Sequence, residues 1–294
     1  MAVRIMNVGI IGQGFVGTAI REGLKNFCSV IVYDKKEDIC PKTSYRSLNT
    51  IVEDCRIIFQ CLPTPMKVSG ECDLTIVEKS LEDLNLLSKS CSKNPIVVIK
   101  STVPPGTCER FKKEFKNINL VFSPEFLTEA NSINDFKNQT HVILGGPRPY
   151  TSQVKTMLRK AFLHIPIVET DYQTAEMVKY FINNFLATKV SFANEIYDIC
   201  EATGIEYKDV IEFAKLDQRL GDSHWQVPGP DTKRGFGGSC FPKDINGLIT
   251  YAESIGIEPN ILKTVWKKNL QVRPERDWEQ LIGRAITKKE KNNE

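Results

Sequence analysis

Residues 8–17 read Val8-Gly9-Ile10-Ile11-Gly12-Gln13-Gly14-Phe15-Val16-Gly17. An apolar run ends here in a G-x-G-x-x-G pattern, and a segment compatible with a helix, Thr18–Lys25, follows. Glycines at this spacing allow a tight turn and the close approach of a pyrophosphate to the positive N-terminus of a helix. A second apolar stretch ends at Asp34, about twenty residues on, where a carboxylate accepts hydrogen bonds from adenosine ribose hydroxyls. The pattern predicts dinucleotide binding.

The first half of the chain alternates strand and helix signals, which predicts an α/β fold with a Rossmann-type, doubly wound parallel sheet. The predicted strands are Ile5–Ile10, Val30–Tyr33, Ile57–Cys61, Ile96–Ile99, Leu120–Phe122, His141–Leu144 and Ile165–Val168. The predicted crossover helices include Thr75–Lys89 and Cys108–Phe115. The dinucleotide-binding domain is expected over residues 1–170.

The pattern then changes to helices. A long connecting helix is predicted over residues 171–203, about Gln173 to Thr203, and a small all-α central domain over residues 204–272. The family resemblance given below implies that this central domain serves catalysis and dimerisation. Its shorter helices are Lys208–Ala214, Gly247–Ile255 and Ile261–Leu270. A charged C-terminal helix and tail over residues 273–294, helical from Pro274 to about Lys289, completes the prediction.

The composition bounds the function. The 294 residues suffice for two domains, and 41% hydrophobic and 26% charged residues are ordinary for a soluble protein. A net charge of +3 argues against a nucleic-acid partner. We expect no membrane association, because no apolar run approaches ~18 residues, and no secretory leader. Nine cysteines without a C-x-x-C pair favour the reducing cytoplasm. His141, His164 and His224 have no metal-ligand spacing, so no metal is predicted.

Three segments follow neighbouring predicted strands, at the carboxyl ends where such sheets bind ligands. Cys61–Pro65 contains Pro63 and Thr64, which could wall a cofactor cleft. Lys100–Thr107 offers the Thr102 hydroxyl on a proline-stiffened turn. Ser123–Glu129 carries two carboxylates four residues apart, those of Glu125 and Glu129. Each segment alone is equally typical of a turn, but together at one sheet edge they favour a site.

A second glycine-rich stretch, Gly235-Phe236-Gly237-Gly238-Ser239-Cys240-Phe241-Pro242-Lys243-Asp244, presents one cysteine. If Asp244 lies in a helix, its carboxylate shares a face with the Cys240 thiol. Lys243 or free backbone N–H groups could lower the pKa of such a thiol and make it a nucleophile. An inert buried cysteine in a glycine-rich turn is the other interpretation.

The long helix carries two further patterns. Lys179 and Asn183 share a face, either as a solvated pair or as donors aimed together at an oxyanion. An apolar stripe indicates either core or a dimer seam, and its members are Met177, Phe181, Asn184, Phe185, Val190 and Ile196.

Several motifs together resemble the UDP-glucose/GDP-mannose dehydrogenase family, most closely its UDP-glucose 6-dehydrogenase branch. They are Gly12 to Gly17, Ser101-Thr102-Val103-Pro104, Ser123-Pro124-Glu125-Phe126-Leu127, Glu176 to Asn183, Cys200-Glu201-Ala202-Thr203-Gly204, Asp217-Gln218-Arg219 and Gly235 to Asp244. The likeness covers about four fifths of the chain, and the cysteine motif is its most specific part.

The resemblance implies oxidation of a nucleotide sugar at C6, from alcohol to carboxylate, with two NAD. Cys240 would trap the aldehyde and then carry a thioester. Glu129 or Asp244 would serve hydrolysis with a water, and Glu125 would support Glu129. Lys179 and Asn183 would stabilise oxyanions.

The resemblance also assigns binding residues. Thr102 would position water and the nicotinamide end. The cofactor residues are Gly12, Gly14, Phe15, Val16, Gly17, Asp34, Pro63, Thr64, Thr102 and Lys243. The substrate residues are Phe126, Leu127, Lys179, Asn183, Arg219 and Gly237. Asp34 favours NAD, whereas Lys35 and Lys36 keep NADP open.

The sequence departs from the family pattern in three places. Family members continue into a third domain that grips the nucleotide, and Trp278–Ile286 resembles the linker helix leading to it. The segment Gly221–Gly235 is longer than usual. Its aromatic and cationic side chains could hold a base and a diphosphate, or they could cover the surface left bare by the absent domain. Ala130 replaces a usual glycine. Arg219 matches an arginine that reaches a neighbouring subunit's substrate, which implies a homodimer through the long helix.

Three alternatives remain open. A β-hydroxyacid dehydrogenase has this length and a Lys-x-x-x-Asn pair, makes one hydride transfer and needs no cysteine. A non-catalytic NAD-binding protein would act in regulation or assembly. A separate polypeptide could supply the nucleotide grip, or the sugar substrate could need less of it.

Overall fold

The computed structural model describes residues 6–91 and 94–287, and the chain divides into two compact units. The first unit contains the chain up to Thr64 and then Leu74–Lys179. The second contains the short segment Pro65–Asp73 and the chain from Tyr180 onwards. The boundary therefore falls inside the long helix rather than before it, and residues 65–73 belong with the C-terminal half.

Seven strands in the described part of the first unit form one sheet, in the order β2-β1-β3-β4-β5-β6-β7. They are β1 Asn7–Ile11, β2 Ser29–Tyr33, β3 Ile57–Gln60, β4 Ile96–Ile99, β5 Asn119–Phe122, β6 Val142–Gly145 and β7 Ile167–Thr170. All seven predicted strands are confirmed, with the ends that can be compared shifted by at most two residues, and Ile5 of the first predicted strand lies outside the described residues. The chain order reverses between β1 and β3, and doubly wound sheets bind ligands beside the carboxyl ends of such strands.

The sheet is mostly parallel, as predicted, but its last two strands run opposite to the other five. β1 to β5 are parallel, but β5 meets β6 antiparallel through the pair Phe122–Gly145, and β7 runs parallel to β6. Only a short helix lies between β5 and β6, and an antiparallel return needs no full crossover. The carboxyl ends of β6 and β7 therefore lie at the opposite edge from the predicted site.

Helices cover both faces of the sheet. They are α1 Phe15–Leu24, α2 Leu48–Asp54, α3 Thr75–Leu87, α4 Thr107–Glu114, α5 Ser132–Lys137 and α6 Arg148–Leu158. Side chains alternate along β4, so that Ile96 and Val98 join one buried cluster and Val97 and Ile99 the other. Because a strand buried on both faces must be apolar throughout, the continuous apolar runs in the sequence are accounted for.

The long helix α7 spans Tyr172–Thr203, as predicted. The second unit adds α8 Tyr207–Ala214, α9 Phe241–Ser254 and α10 Asn260–Val272. The segment Pro65–Asp73 forms a small hairpin closed by an antiparallel bridge between Met66 and Cys72. A Cβ on Gly70 would lie 3.3 Å from Asn246 and Thr250, so the hairpin packs on α9.

The helix predicted from Pro274 to about Lys289 is wrong wherever the structure describes it. Residues 274–287 contain only the 3-10 turn Asp277–Gln280, and Lys288 and Lys289 lie outside the described residues. Arg276 and Gly283 have positive φ values of 43° and 78°, which interrupt a helix. Met66 instead pairs with this segment, donating its N–H to the Ala285 carbonyl at 2.8 Å. The linker-helix interpretation of Trp278–Ile286 fails for the same reason.

Candidate active site

The glycine turn between β1 and α1 has the geometry that a dinucleotide requires. Gly12 has φ +93°, and a Cβ there would lie 2.3 Å from the Cys61 carbonyl oxygen. A Cβ on Gly17 would lie 1.8 Å from the Gly12 carbonyl oxygen. Gly14 differs, because nothing lies within 4 Å of its Cβ position. Gly12 and Gly17 therefore serve the turn itself. Gly14 leaves open space at the N-terminus of α1, where Phe15 and Val16 begin the helix.

Asp34 follows β2 and is tied to the same turn. Its Oδ2 accepts the Gln13 N–H at 2.8 Å, and its Oδ1 accepts the Lys36 N–H at 2.9 Å. The carboxylate is thus fixed beside the glycines, while Lys35 and Lys36 are exposed. The glycine turn and Asp34 are residue types that could hold the adenosine half of NAD.

The segments after β3 and β4 meet, as their positions in the sequence predicted. Thr64 Oγ1 donates to the Thr102 carbonyl at 2.8 Å, and Ser101 Oγ donates to the Leu62 carbonyl at 2.6 Å. Thr64 and Thr102 are buried, whereas Pro63 is exposed. The exits of neighbouring strands are therefore locked to each other by side chain–backbone hydrogen bonds.

Lys179 and Glu125 form a buried ion pair in the first unit. Lys179 Nζ lies 3.0 Å from Glu125 Oε1 and also donates to the Glu125 carbonyl. Burial would raise the pKa of Glu125, but the Lys179 ammonium and the Leu127 N–H hold it below its usual value. The ammonium also lies 5.3 Å from the centre of the Phe126 ring. The lysine is thus not on a solvated face, because its side chain is only 4% exposed.

Sequence reasoning did not single out Lys100, which the structure places under the same segment. Its Nζ donates to Ser123 Oγ at 3.1 Å and to the Pro124 carbonyl at 3.0 Å. Burial lowers the pKa of Lys100 to about 8. A lysine directly after an apolar strand was the available signal, because such a residue sits at the ligand-binding edge of the sheet.

Glu129 has a different environment from Glu125. It lies in the exposed 3-10 turn Glu129–Asn131, together with Ala130. Two carboxylates four residues apart in sequence thus occupy one buried and one exposed position, because no α-helix connects them.

In the second unit, Cys240 is the N-cap of α9, and the Asp244 N–H donates to its carbonyl at 2.9 Å. The expectation that Asp244 lies in a helix is confirmed. The loop before Cys240 is fixed by the segment after α10. A Cβ on Gly237 would lie 2.4 Å from Arg273 Nη2, and the Gly238 N–H donates to Asp277 Oδ2 at 3.3 Å. Arg273 is itself buried and paired with Asp277.

The Asp244 carboxylate is 1% exposed and joins two predicted site residues. Asn183 Nδ2 donates to its Oδ2 at 2.5 Å, and the Lys243 ammonium donates to its Oδ1. Although burial alone would lower the pKa of Lys243, the charges of Asp244 and Cys240 raise it. A carboxylate, an amide and an ammonium therefore meet at the start of α9, the helix whose N-cap is Cys240.

The segment Gly221–Gly235 is anchored within the second unit. Trp225 is buried, and the Lys189 ammonium lies 4.5 Å from the centre of its ring. Arg234 Nη2 contacts Asp198 at 2.5 Å, and Lys233 contacts Glu275 at 3.3 Å. These side chains are engaged with residues of their own unit.

The remaining predicted residues have simple environments. Arg219 is 88% exposed and pairs with Asp217. His164 is exposed, and the ring centre of His141 lies 5.4 Å from that of Phe126. Partial burial lowers the pKa of His224. The stripe on α7 is not a single face: Asn184 is buried and Val190 and Ile196 are partly buried, but Met177, Phe181 and Phe185 are exposed.

Some features are not found among the described residues. No His, Cys, Asp or Glu cluster there could hold a metal ion. None of the nine cysteines, all within the described ranges, is in a disulfide. No described helix combines the length and the apolar character needed to span a membrane.

A Rossmann-type unit with a glycine turn and an acid after its second strand, followed by a long helix and a helical unit, is the architecture of an NAD-dependent dehydrogenase. The chain belongs to the UDP-glucose/GDP-mannose dehydrogenase family. It matches the model of that family's NAD binding domain over residues 42–163 and of its central domain over residues 173–271.

Named relatives share this architecture. The chain is 32% identical to the UDP-glucose 6-dehydrogenase of Rickettsia conorii, over 90% of this chain and 67% of that protein. It is 34% identical to the UDP-glucose 6-dehydrogenase TuaD of Bacillus subtilis, over 74% of this chain and 49% of that protein. The chain thus spans about half to two thirds of the length of these relatives.

Among solved structures, a UDP-glucose dehydrogenase from Pyrobaculum islandicum superposes with a TM-score of 0.81 and 27% identity, covering 95% of this chain and 71% of that one. The 3-hydroxyisobutyrate dehydrogenase of Mycobacterium tuberculosis superposes with a TM-score of 0.74 over 92% of this chain and 95% of that one. At 13% identity this second likeness is one of fold alone.

Proposed function

We propose that this chain is an NAD-dependent nucleotide-sugar 6-dehydrogenase that converts UDP-glucose to UDP-glucuronate. The observation that carries the proposal is the group at the start of α9, where Cys240, Asp244 and Asn183 lie together. A β-hydroxyacid dehydrogenase has no need for such a thiol. The names of the curated relatives support UDP-glucose as the substrate.

The reaction removes four electrons from C6 of the sugar. The glycine turn and Asp34 would hold NAD, and two NAD molecules in succession would each supply the capacity for one two-electron oxidation. The C6 alcohol gives up a hydride and a proton to become an aldehyde, and the Cys240 sulfur adds to the aldehyde carbon to form a thiohemiacetal. Loss of a second hydride and a proton leaves a thioester. Water then releases the carboxylate and restores the thiol.

The chain's charged groups serve these steps. The Lys243 ammonium near Cys240 favours the thiolate, which is the nucleophilic form. Lys179 and the Asn183 amide stabilise the negative oxygen of the tetrahedral species. Asp244 or the exposed Glu129 directs the hydrolytic water, Glu125 supports the site by holding Lys179, and Thr102 positions water and the nicotinamide end. Phe126, Leu127 and Gly237 are the proposed sugar-binding residues.

We also propose that the protein works as a homodimer through α7. Phe181 and Phe185 are 66% and 56% exposed, and their rings stack at 6.2 Å. Arg219 extends into solvent on Asp217, as a residue that reaches a neighbouring subunit's substrate would. A separate subunit that supplies part of the nucleotide grip is a further candidate partner.

The decisive experiment measures NADH formed per UDP-glucose by the wild type, Cys240→Ser and the control Cys91→Ser. Both cysteines are partly buried, but Cys91 lies outside the candidate site. Two NADH per sugar, with only Cys240→Ser stalled, is expected.

One NADH per substrate, unaffected by Cys240→Ser, would favour the β-hydroxyacid dehydrogenase alternative. No NADH with any nucleotide sugar, while NAD still binds, would favour a non-catalytic NAD-binding protein. NADH production that appears only with an added polypeptide would identify a separate nucleotide-gripping subunit.

A further inference from the structure

Lys100 occupies an unusual place for a lysine. Its residue is 8% exposed, although it directly follows the apolar strand β4. Its ammonium reaches the segment after β5, where it donates to Ser123 Oγ at 3.1 Å and to the Pro124 carbonyl at 3.0 Å. Burying an ammonium costs free energy of desolvation. We therefore looked for a role that the positive charge of Lys100 could serve.

The next residue along this segment is Glu125, which holds Lys179 through both its carbonyl and its carboxylate. Lys100 and Lys179 therefore donate hydrogen bonds to adjacent residues of the segment Ser123–Glu125. The charged and titratable groups near Lys100 are Glu125, Cys61 and Lys179. Burial lowers the pKa of Lys100 to about 8, with Lys179 adding to this effect and Glu125 and Cys61 opposing it.

We propose that Lys100 is a positioning residue, whose ammonium fixes the Ser123–Glu125 segment and, through Glu125, the place of the Lys179 ammonium. This inference rests on the proposed function, in which Lys179 stabilises an oxyanion. When Lys100 loses its proton, the segment loses one of the two cations that flank Glu125. The Lys179 ammonium is then less well placed, and turnover falls as the pH rises through the range in which Lys100 titrates.

The test compares steady-state NADH formation between pH 6 and 10 for the wild type, Lys100→Met and Lys100→Arg. Lys100→Met is expected to lower kcat about 10- to 100-fold, the size of effect that a small misplacement produces, with the KM for NAD unchanged. The alkaline fall in kcat near pH 8 disappears in Lys100→Met. It moves to higher pH in Lys100→Arg, because a guanidinium stays charged throughout.

Lys155→Met is the matched control, because Lys155 pairs with Glu169 at 3.1 Å in the same unit but outside the site. Wild-type kcat and an unchanged pH profile in Lys100→Met would overturn the proposal. Where Lys100→Met does not fold, the profile of Lys100→Arg decides: an alkaline limb that stays near pH 8 overturns it.

A second readout does not depend on activity. The urea midpoints of Lys100→Met, Lys179→Met and the double variant form a cycle. The double variant is expected to lose more than the sum of the single losses, because Glu125 then has neither of its two cations. Additive losses would overturn the coupling. A wild type that forms no NADH from any nucleotide sugar contradicts the proposed function, whereas this cycle still decides whether Lys100 acts on Lys179.

Discussion

The amide of Asn183 is fixed by the Asp244 carboxylate, with Nδ2 and Oδ2 2.5 Å apart. An ionised carboxylate only accepts hydrogen bonds, so this contact decides which end of the amide faces α9. One N–H of the amide is used by Asp244 and the other remains for a second acceptor. Because Asp244 also pairs with Lys243, a single buried carboxylate orients both the Asn183 amide and the Lys243 ammonium.

Asp244→Asn should therefore lower both stability and turnover. The change leaves the buried Lys243 ammonium without its charge partner, and breaking such a pair costs about 3 kcal/mol. Loss of the oriented Asn183 donor should lower kcat about 100-fold. Urea unfolding and NADH formation measure the two effects. Asp209→Asn, in the exposed first turn of α8, is the control and should change stability by less than about 0.5 kcal/mol. Equal behaviour of the two variants would refute the assignment.

The two glycines Gly14 and Gly17 should separate binding from folding. Gly14→Ala places its methyl group in open space at φ −66°, so the thermal midpoint should stay unchanged while NAD affinity falls at least about tenfold. Gly17→Ala forces its methyl group to 1.8 Å from the Gly12 carbonyl and should lower the thermal midpoint. Calorimetric titration with NAD and thermal unfolding check both. Unchanged NAD affinity in Gly14→Ala would place the diphosphate elsewhere.

Asp34→Ser should weaken NAD binding and raise the relative use of NADP. The charge-assisted contact with the ribose hydroxyls is worth about 1.5–3 kcal/mol, which corresponds to a loss of roughly 10- to 100-fold in NAD affinity. The exposed Lys35 and Lys36 then face a 2′-phosphate without a neighbouring carboxylate. The ratio of kcat/KM for the two cofactors measures the change. Asp38→Ser, exposed in the following turn, should leave that ratio at its wild-type value.

The buried Lys100 should give the stability of the protein a distinct pH dependence. Its pKa is about 8 in the folded chain and near 10.5 when unfolded, so the unfolded chain binds more protons between these values. Stability therefore rises with pH across this window, by at most about 1.4 kcal/mol per pH unit. The difference in urea-unfolding free energy between the wild type and Lys100→Met isolates this contribution. A difference that stays constant from pH 8 to 10.5 would contradict the shifted pKa.

The exposed phenylalanines of α7 should hold the proposed dimer together. Phe185→Glu should give a monomer in analytical ultracentrifugation, since it places a charge within the apolar interface without a partner. Phe213→Glu is the control, because Phe213 is 66% exposed on α8. A dimer that survives Phe185→Glu, or a wild type that is already monomeric, would reject this interface.

The parts of the fold that the sequence predicted well depend on local signals. Strands β1 to β5 are short apolar runs followed by turn residues, and the glycine turn has a fixed spacing. The direction of β6 was missed because it depends on one pairing, Phe122 with Gly145, which no local pattern encodes. The segment after Pro274 has helical composition, but its pairing with Met66 and the burial of Trp278 override that preference.

The residues of the candidate site also differ in whether a local sequence pattern could predict them. Cys240 and Asp244 were predictable because four residues separate them at the start of a helix. The position of Lys100 at the end of a strand was visible in the sequence, but its burial was not, because that burial depends on Ser123 and Pro124, which follow the next strand. Contacts between distant segments decide which charged side chains are buried, and composition does not show them.

The hairpin Pro65–Asp73 has a consequence for how the protein is made. It leaves the ribosome long before its partners, since Gly70 packs on Asn246 and Thr250 and Met66 pairs with Ala285 and Thr287. Domains generally fold in order of synthesis, so the sheet can assemble around Thr64 and Leu74 while the hairpin between them waits. The last described residues of the chain therefore complete a unit whose first residues, Pro65–Asp73, are translated long before them.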